Sequence, residues 1–221
     1  MTKTQDQKPK THEEPKTNIA AIILAAGQSS RMGAFKPLLP FGDKTVIEST
    51  IDYLSGAGIE TIIVVAGHLE DEIKTQLTNR VLKFTTNPDP RSAMATSIVC
   101  GLRELPSEVR AVIITPVDHP AVPKEVVSQL IDEWRDGARL VIPTNGGRGG
   151  HPVLIDLSFR AELLRLDPNS GLKSFFDAHR KEVKRVAVNS NYIARDMDTW
   201  DDYRSLHEEV FGVLPTKERF S

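Results

Sequence analysis

The sequence has few of the features that mark secreted, membrane-spanning or nucleic-acid-binding proteins. A single cysteine, Cys100, excludes an intramolecular disulfide and a cysteine-rich zinc site, and it agrees with a reducing cytoplasm. No apolar run approaches the roughly 20 residues that a helix needs to cross a bilayer. The 28 basic and 30 acidic residues give a net charge of −2, so no overall field favours nucleic acid or an anionic membrane. We therefore expect a cytoplasmic protein with no nucleic-acid or membrane partner, in which any phosphate binding is local.

The composition suits one folded domain with short polar ends. Of the 221 residues, 39% are hydrophobic and 26% are charged, which is enough apolar surface for a single α/β core. Residues 1–17 contain two prolines and lack the apolar segment of a signal peptide, so we predict a disordered extension there. We predict one domain over residues 18–212 and a polar tail over residues 213–221.

Apolar runs that alternate with amphipathic segments predict a parallel sheet. Continuous runs rich in Ile and Val are typical of buried strands, and they occupy residues 19–24, 61–66, 111–115 and 139–143. Thr45 and Glu48 have the spacing of a capping box before the first helical pattern. Strands joined by helices form right-handed crossover units. We therefore predict a Rossmann-like α/β fold, with a mostly parallel sheet sandwiched by helices and a small β elaboration.

Less regular sequence patterns predict the remaining helices and strands. Further helices are predicted at residues 69–77, 94–105, 123–134, 158–166 and 171–179, and a last one begins near Thr199. Short strands are predicted at residues 81–85 and 183–188, and the run at 151–155 is predicted to pair in a different direction from the other strands.

The first strand ends in a loop that carries two cations. After Ala26 and Gly27 the chain places Arg31 and Lys36 among small residues. Backbone N–H groups of such a turn, a guanidinium and an ammonium are the groups that hold a polyphosphate. Loops of this kind also serve merely as connections with solvated charges. The spacing matches neither G-x-x-x-x-G-K-[ST] nor G-x-G-x-x-G, which disfavours a P-loop NTPase and a simple dinucleotide-binding fold.

Two later acidic positions are candidate metal ligands. Asp118 directly follows the fourth predicted strand, where a carboxylate either binds the divalent cation that accompanies a triphosphate or only forms a turn. Thr199 and Asp202 have the spacing of an N-cap arrangement, which leaves Asp196 and Asp198 outside the helix. Asp198 either reaches the same metal or only orients the cap.

The histidines show no metal-site spacing. His151 lies between a glycine-rich turn and an apolar run, and no His/Asp/Glu pattern in the chain is that of a zinc site. A triad of Ser97, His151 and Asp118 lacks the G-x-S-x-G elbow around its serine. Three further histidines are predicted to lie at the surface: His12, His179 and His207.

Residues 24–40, LAAGQSSRMGAFKPLLP, resemble the signature of the MobA-like NTP transferases, the family of molybdenum cofactor cytidylyltransferase. Later stretches are similar to the family in the same order, at residues 87–102, 118–120, 148–153, 171–172 and 196–203. The resemblance covers most of residues 19–206. The opening motif is more specific for the superfamily than for the substrate.

The resemblance implies a reaction in which a phosphate of a second substrate attacks the α-phosphorus of a nucleoside triphosphate and pyrophosphate leaves. It implies that Arg31 and Lys36 are the catalytic residues, holding the triphosphate and stabilising the charge on the leaving group. It implies a Mg²⁺ cofactor held by Asp118 and by Asp198, with Asp196 as the alternative second ligand. The residues implied to bind nucleotide or acceptor are Leu24, Ala25, Ala26, Gly27, Ser97 and, on the acceptor side, His151.

The resemblance also implies the substrates. The sequence LAAG is similar to cytidylyl-transferring members and LAGG to guanylyl-transferring ones, and a Cβ at Ala26 would narrow a pocket that a purine needs. CTP is therefore favoured, with molybdopterin as the acceptor and a molybdenum hydroxylase or its chaperone as a partner. Ala93 stands where a glycine is usual and His119 where a methionine is common, which leaves the acceptor open. The alternatives are transfer to a sugar phosphate or another phosphorylated alcohol, and a non-catalytic nucleotide-binding or cofactor-chaperone module.

Overall fold

The first strand, β1 (Ile19–Ala25), lies in the interior of the sheet, and all seven of its residues are buried. The computed structural model describes residues 18–27, 32–67, 69–89 and 94–215. Alternate side chains of β1 enter two different apolar clusters, one that includes Ala20 and Ile22 and one that includes Ala21 and Ile23. Because successive side chains of a strand point to opposite faces, a run that is apolar at every position needs cover on both faces.

The elements follow the predicted alternation of strands and helices. After β1 come a 3₁₀ helix at Lys36–Leu38, β2 (Pro40–Phe41), β3 (Lys44–Thr45), α1 (Val46–Gly56), β4 (Thr61–Ala66), α2 (Glu70–Gln76) and β5 (Lys83–Thr86). The middle of the chain forms α3 (Met94–Arg103), β6 (Ala111–Pro116), α4 (Lys124–Arg135), β7 (Leu140–Asn145), β8 (Arg148–Gly149) and β9 (Val153–Asp156). The last elements are a 3₁₀ helix at Leu157–Phe159, α5 (Arg160–Leu163), α6 (Gly171–Ala178), β10 (Val183–Ala187), a 3₁₀ helix at Asn191–Ala194 and α7 (Trp200–Phe211).

The main sheet is mostly parallel. In the described part of the chain its strand order is β10-β7-β9-β6-β1-β4-β5, with β8 paired to β7. β1 pairs in parallel with β4 and β6, and β7 pairs in parallel with β10. β9 runs antiparallel to both β6 and β7, which confirms the predicted change of direction at this run.

Helices cover both faces of the sheet. Residues of α1, α2, α4 and α7 pack in the cluster that contains Ile23, and residues of α3, α5 and α6 pack in the cluster that contains Ile22. Burying an apolar stripe of each helix against the sheet is what stabilises this layered architecture. The prediction of a Rossmann-like α/β fold with a mostly parallel sheet between helices is confirmed.

Both predicted capping arrangements form. The Thr45 hydroxyl accepts a hydrogen bond from the Glu48 backbone N–H, and the Glu48 carboxylate accepts one from the Thr45 N–H at 2.8 Å. Thr199 and Asp202 form the same reciprocal pair at the start of α7. These pairs satisfy backbone N–H groups that have no partner within the helix, and so they fix where each helix begins.

Two local predictions differ from the structure, and one element was not predicted. β5 begins at Lys83 rather than residue 81, because the Val81 side chain is fully exposed and has nothing to pack against. The predicted helix at 158–166 is shorter in the structure, where a 3₁₀ turn at Leu157–Phe159 leads into α5 and α5 ends at Leu163. The two-residue strands β2 and β3 form a separate hairpin that is too short to leave a periodic pattern.

His207 is buried, so the prediction that it lies at the surface is wrong. Its Nδ1–H donates to the Val213 carbonyl at 2.7 Å, and its Nε2 accepts from the Gly42 N–H at 3.3 Å. It lies one turn after Tyr203 on the core face of α7, so helical spacing explains its burial. His12 lies outside the described residues, and His179 is half-buried beside Glu162.

The domain boundaries remain predictions. Residues 1–17 and 216–221 lie outside the described ranges, while the elements from β1 to α7 fall within the predicted domain of residues 18–212. Across the ranges that the structure describes, no helix has both the length and the apolar character that a membrane span requires.

Candidate active site

The predicted site residues lie along the carboxyl edge of the sheet. β1 runs into Ala26 and Gly27, and its neighbour β6 runs into Asp118. The Val117 N–H donates to the Leu24 carbonyl at 3.1 Å, which holds these two strand ends together. Since β9 is antiparallel, its first residues lie at the same edge as the end of β6, and this brings His151 to the site. The carboxyl edge of a parallel sheet is the usual place for a ligand.

A buried lysine joins two carboxylates from distant parts of the chain. The Nζ atom of Lys36 lies 2.9 Å from Oδ1 of Asp198 and 3.5 Å from Oδ2 of Asp118. The Lys36 side chain is 10% exposed, whereas the side chains of Asp118 and Asp198 are 21% and 40% exposed. Three of the four charged residues predicted for the site therefore meet at one point. Arg31, the fourth, lies outside the described residues.

The short segments around this ion-pair cluster are anchored to the core. Lys36 opens the 3₁₀ helix, whose Leu39 N–H donates to the Lys36 carbonyl at 3.1 Å. Asp198 stands just before the α7 cap, next to the fully buried Met197. The Trp200 indole N–H donates to the Met32 carbonyl at 2.9 Å, which ties α7 to the segment that leads to the lysine.

Asp118 is held ionised by its neighbours. Burial acts to raise the pKa of Asp118, but the hydrogen bond from His119 and the positive charges of His119 and Lys36 outweigh burial, so that the pKa lies below its usual value. The distance from His119 Nδ1 to Asp118 Oδ1 is 2.9 Å. His119 was identified from the sequence only as a departure from the family pattern, because a bond to the preceding side chain leaves no signal in the sequence.

A pocket of about 200 Å³ lies on the β1 side of Lys36. Its lining includes all five residues predicted to bind nucleotide on this side: Leu24, Ala25, Ala26, Gly27 and Ser97. Asn87 also lines it and was not predicted as a site residue; its Nδ2 donates to the Ser97 Oγ at 2.9 Å, and its side chain is buried. Asn87 follows β5 directly, so the rule that ligands meet strand ends was the available signal.

A larger pocket, of about 850 Å³, lies on the other side of the ion-pair cluster. His151 lines it together with His119, whose ring centroid is 5.4 Å from that of His151. Asp196 and Asp198 both face this pocket, and Asp118 lines both pockets. Ser97 and His151 thus line different pockets, which gives no support to a Ser-His-Asp triad.

The two carboxylates have the chemistry of a divalent-metal site. Asp118 and Asp198 come from different elements and converge on one ammonium, and carboxylate oxygens are the ligands that Mg²⁺ prefers. Among the described residues no group of three or more His, Cys, Asp or Glu side chains is clustered for metal binding. A cation here would therefore share its coordination with substrate phosphates and water, as Mg²⁺ does at many nucleotide sites.

His151 is expected to stay neutral well below neutral pH. Burial lowers its pKa to about 4, the charge of His119 acts in the same direction, and Asp118 and the Ile114 backbone oppose the shift. Because an unfolded histidine has a pKa of about 6.5, this group favours the folded state above that pH, and the contribution is lost as the pH falls toward 4. At pH 5.5, ¹⁵N NMR of the imidazoles is expected to show a neutral His151 and a protonated His179, whose pKa the Glu162 hydrogen bond raises. A His151 midpoint at or above 6 would contradict this assignment.

Gly150 fixes the approach of the loop that carries His151. A Cβ added at Gly150 would overlap the Ile193 carbonyl oxygen, which accepts a hydrogen bond from the His151 N–H at 2.7 Å. Gly150→Ala is expected to lower the free energy of unfolding by about 2 kcal/mol or more, measured by urea denaturation. Gly149→Ala is the matched control, since its Cβ would meet the Ile142 Cγ2 at 3.3 Å and a small shift relieves that contact. Equal losses in the two variants would refute the proposed role of the Gly150 contact.

A cluster of one lysine and two carboxylates lies between two pockets at the carboxyl edge of a Rossmann-like sheet, an arrangement suited to anionic ligands and a divalent cation. The family model described as the MobA-like NTP transferase domain matches residues 21–183. The chain therefore belongs to the MobA-like NTP transferase family, and we assign it to the nucleotidyltransferases. The resemblance seen in the sequence is confirmed.

Relatives of known identity differ in what they act on. Molybdenum cofactor cytidylyltransferase from Escherichia coli K12 is 25% identical, over 88% of this chain and 98% of its own length. Nicotine blue oxidoreductase from Paenarthrobacter nicotinovorans is 23% identical, over 85% of this chain and 96% of its own length. The crystal structure of Rv0371c from Mycobacterium tuberculosis H37Rv covers 88% of this chain and 100% of its own, with 27% identity and a TM-score of 0.79. A second Rv0371c structure, a complex with manganese, has 26% identity, a TM-score of 0.72 and covers 86% of this chain and 98% of its own.

Proposed function

We propose that this nucleotidyltransferase transfers CMP from CTP to the phosphate of molybdopterin and releases pyrophosphate. The observation that carries the proposal is the meeting of Lys36, Asp118 and Asp198 between a small pocket and a large one. Similarity to the E. coli cytidylyltransferase over almost its whole length supports the choice of substrates. The product would supply the dinucleotide cofactor of a molybdenum hydroxylase, which makes that enzyme or its chaperone a proposed partner.

The proposed chemistry needs charge neutralisation more than acid–base catalysis. An oxygen of the acceptor phosphate forms a bond to the α-phosphorus of CTP, the bond from that phosphorus to the β-phosphate oxygen breaks, and pyrophosphate carries away the negative charge. The acceptor phosphate is already anionic near neutral pH, so no base has to remove a proton. Two anions must approach each other, and Lys36 and Arg31 are assigned the task of offsetting their repulsion and that of the leaving group.

Asp118 and Asp198 are the residues assigned to hold Mg²⁺. When bound, the metal would screen the phosphate oxygens and stabilise the charge that develops on pyrophosphate. The manganese complex of Rv0371c supports a divalent cation in this family. The hydrogen bond from His119 orients the Asp118 carboxylate, a contribution that outer-shell partners of metal ligands commonly make.

Ala26 is assigned the selection of a pyrimidine base. It lines the small pocket, and its backbone carbonyl lies so close to Gly67 that a Cβ there would come within 2.9 Å of the Ala26 oxygen. Gly67 therefore limits how far the end of β1 can shift to accommodate a larger base. Ala26→Gly is expected to raise the ratio of kcat/KM for GTP to that for CTP by about tenfold, measured with each nucleotide and the same acceptor; one buried methyl group has an effect of this size. An unchanged ratio would remove Ala26 from base selection.

The large pocket is assigned to the acceptor. Its volume of about 850 Å³ suits a substrate larger than a simple sugar phosphate, and its wall includes the Phe176 ring beside polar groups. His151 lines the large pocket and not the small one, and it is therefore assigned to the acceptor side.

The test is a matrix of nucleotides and acceptors. Each of the four NTPs is supplied with Mg²⁺ and either molybdopterin carrying molybdenum or a panel of sugar phosphates, and released pyrophosphate is measured together with the mass of the product. CTP with molybdopterin is expected to give the highest rate and a cytidine dinucleotide. Turnover only with a sugar phosphate would replace the acceptor, and inactivity with every pair, together with measurable CTP binding, would favour a non-catalytic binding module.

A further inference from the structure

We propose that Lys36 is an internal counter-cation that occupies the divalent-metal position between Asp118 and Asp198 and leaves it when a triphosphate binds, so that nucleotide and metal bind cooperatively. This inference rests on the proposed function, because it uses the metal site assigned there. It adds a second role to a lysine so far assigned only to the triphosphate.

The geometry makes the lysine and the metal alternatives. The Lys36 ammonium contacts one oxygen of each carboxylate, at 2.9 Å on Asp198 and 3.5 Å on Asp118. A Mg²⁺ ion bound by the same oxygens would lie about 2.0–2.1 Å from them. The ammonium and the metal would then be nearly in contact, and the repulsion of two cations at such a distance is large when little water separates them. The site holds one or the other.

The counter-cation has a physical reason in the nucleotide-free protein. The Asp118 side chain is only 21% exposed, and removing a cationic partner from a carboxylate with so little solvent access is destabilising. Lys36 contacts both carboxylates, so Asp118 and Asp198 share a cationic partner in the absence of metal. The lysine thus keeps the site folded and charged in the absence of metal.

A triphosphate offers the lysine a better partner. Lys36 also lines the small pocket, on the side of Ala26 and Gly27 where the phosphates are proposed to bind. Its four-carbon stem allows the ammonium to turn from the carboxylates to the phosphates. Each group then exchanges one counter-ion for another: the phosphates gain the ammonium, and the two carboxylates gain the metal. By thermodynamic linkage, bound nucleotide raises the affinity for metal by the same factor as bound metal raises the affinity for nucleotide.

The consequence is weak metal binding by the free protein. The metal competes with a tethered ammonium. Its apparent affinity is therefore its intrinsic affinity multiplied by the fraction of molecules in which the lysine has left the carboxylates. Removing the ammonium therefore has opposite effects on the two properties of the enzyme: catalysis weakens, whereas metal binding in the absence of nucleotide strengthens. A lysine that served only the triphosphate would have no such effect on the nucleotide-free metal site.

The test measures Mn²⁺ binding to the nucleotide-free protein by EPR of the free ion. Lys36→Met, which keeps an unbranched side chain one atom shorter and removes its charge, is expected to lower the Kd for Mn²⁺ about tenfold or more. Lys173→Met is the matched control, since Lys173 lines the large pocket with both carboxylates but makes no ion pair with them in the described structure. Its Kd is expected to change less than about threefold, the effect of removing one more distant, screened charge.

Water-proton relaxation then separates this inference from the proposed function. With α,β-methylene-CTP present, wild-type protein is expected to bind Mn²⁺ in a ternary complex, and Asp118→Asn is expected to lose it. An unchanged Kd for Mn²⁺ in Lys36→Met, or an equal fall in that Kd in Lys173→Met, would overturn the inference. If the wild type still forms the ternary complex in that case, the assignment of the metal site is retained. If wild-type protein forms no ternary complex, the metal assignment fails and the inference fails with it.

A stability measurement covers the case in which Lys36→Met folds poorly. The variant removes the Lys36 ammonium from both carboxylates, so its Tm in EDTA is expected to lie below that of the wild type. Saturating Mn²⁺ is expected to raise the Tm of the variant more than that of the wild type, because the ion binds its native state more tightly. An equal or smaller rise in the variant would contradict the proposal.

Discussion

Lys36→Met is expected to lower the turnover number for nucleotidyl transfer at least tenfold, a rise in the activation barrier of at least about 1.4 kcal/mol. The ammonium is assigned to the triphosphate, where it offsets repulsion between two anionic substrates and the charge on leaving pyrophosphate. Both effects grow toward the transition state, so kcat is expected to fall and not only KM to rise. The measurement is the initial rate of pyrophosphate release at saturating CTP, acceptor and Mg²⁺.

Lys44→Met is the control for this variant. Its ammonium pairs with Asp52 at 2.5 Å, away from both pockets, and the same substitution there removes one charge without touching the site. Its turnover number is expected to stay within a factor of about two of the wild type, as for an exposed ion pair. Unchanged turnover in Lys36→Met, with only a higher KM for CTP, would show that the lysine binds substrate without assisting the transfer.

Asp118→Asn is expected to lower the turnover number further than Lys36→Met does, about a hundredfold or more. This corresponds to a rise in the activation barrier of about 2.7 kcal/mol. The amide keeps the shape of the side chain but replaces a charged metal ligand by a neutral one. It also leaves Lys36 with Asp198 as its remaining carboxylate partner among the described residues. The Mg²⁺ concentration for half-maximal rate is expected to rise at least about tenfold, as for loss of a group that positions the metal.

Asp196→Asn separates loss of a ligand from loss of charge. Asp196 lines the same large pocket, while the two carboxylates that contact Lys36 are those of Asp118 and Asp198. The Mg²⁺ titration of Asp196→Asn is expected to match the wild type within about threefold. If Asp196→Asn shifts the titration as far as Asp118→Asn does, Asp196 is the second ligand and the assignment of Asp198 is wrong. An unshifted titration in Asp118→Asn would remove that residue from the metal site.

The layers of the fold could be predicted because they follow from local patterns. β1, β4 and β6 are apolar at nearly every position, a pattern that requires a sheet covered on both faces, and Thr45 and Thr199 marked where two helices begin. The β2–β3 hairpin could not be predicted, because strands of two residues have no period. The burial of His207 follows from its place on the core face of α7, and the absence of ligand residues near it in the sequence carries no information about burial.

The meeting of the site residues could not be derived from their spacing alone. Lys36 is 82 residues from Asp118 and 162 from Asp198, and only the pairing of β1 with β6 and the packing of α7 bring them together. The family resemblance indicated these residues as candidates. The structure adds that the Lys36 ammonium contacts one oxygen of each carboxylate. The Asn87–Ser97 hydrogen bond could not be predicted from the sequence, because it depends on how α3 packs against the end of β5.

The most direct test of the central claim is a crystal structure of the protein with CTP and Mg²⁺. We expect the cytosine in the small pocket against Ala26 and the triphosphate on Lys36 and Arg31. We expect the metal between Asp118 and the phosphates, with Asp198 as its second carboxylate. The ammonium of Lys36 is then expected to have left both carboxylates. A triphosphate bound elsewhere, or one bound at this edge while Lys36 still bridges Asp118 and Asp198 with no metal between them, would contradict the account.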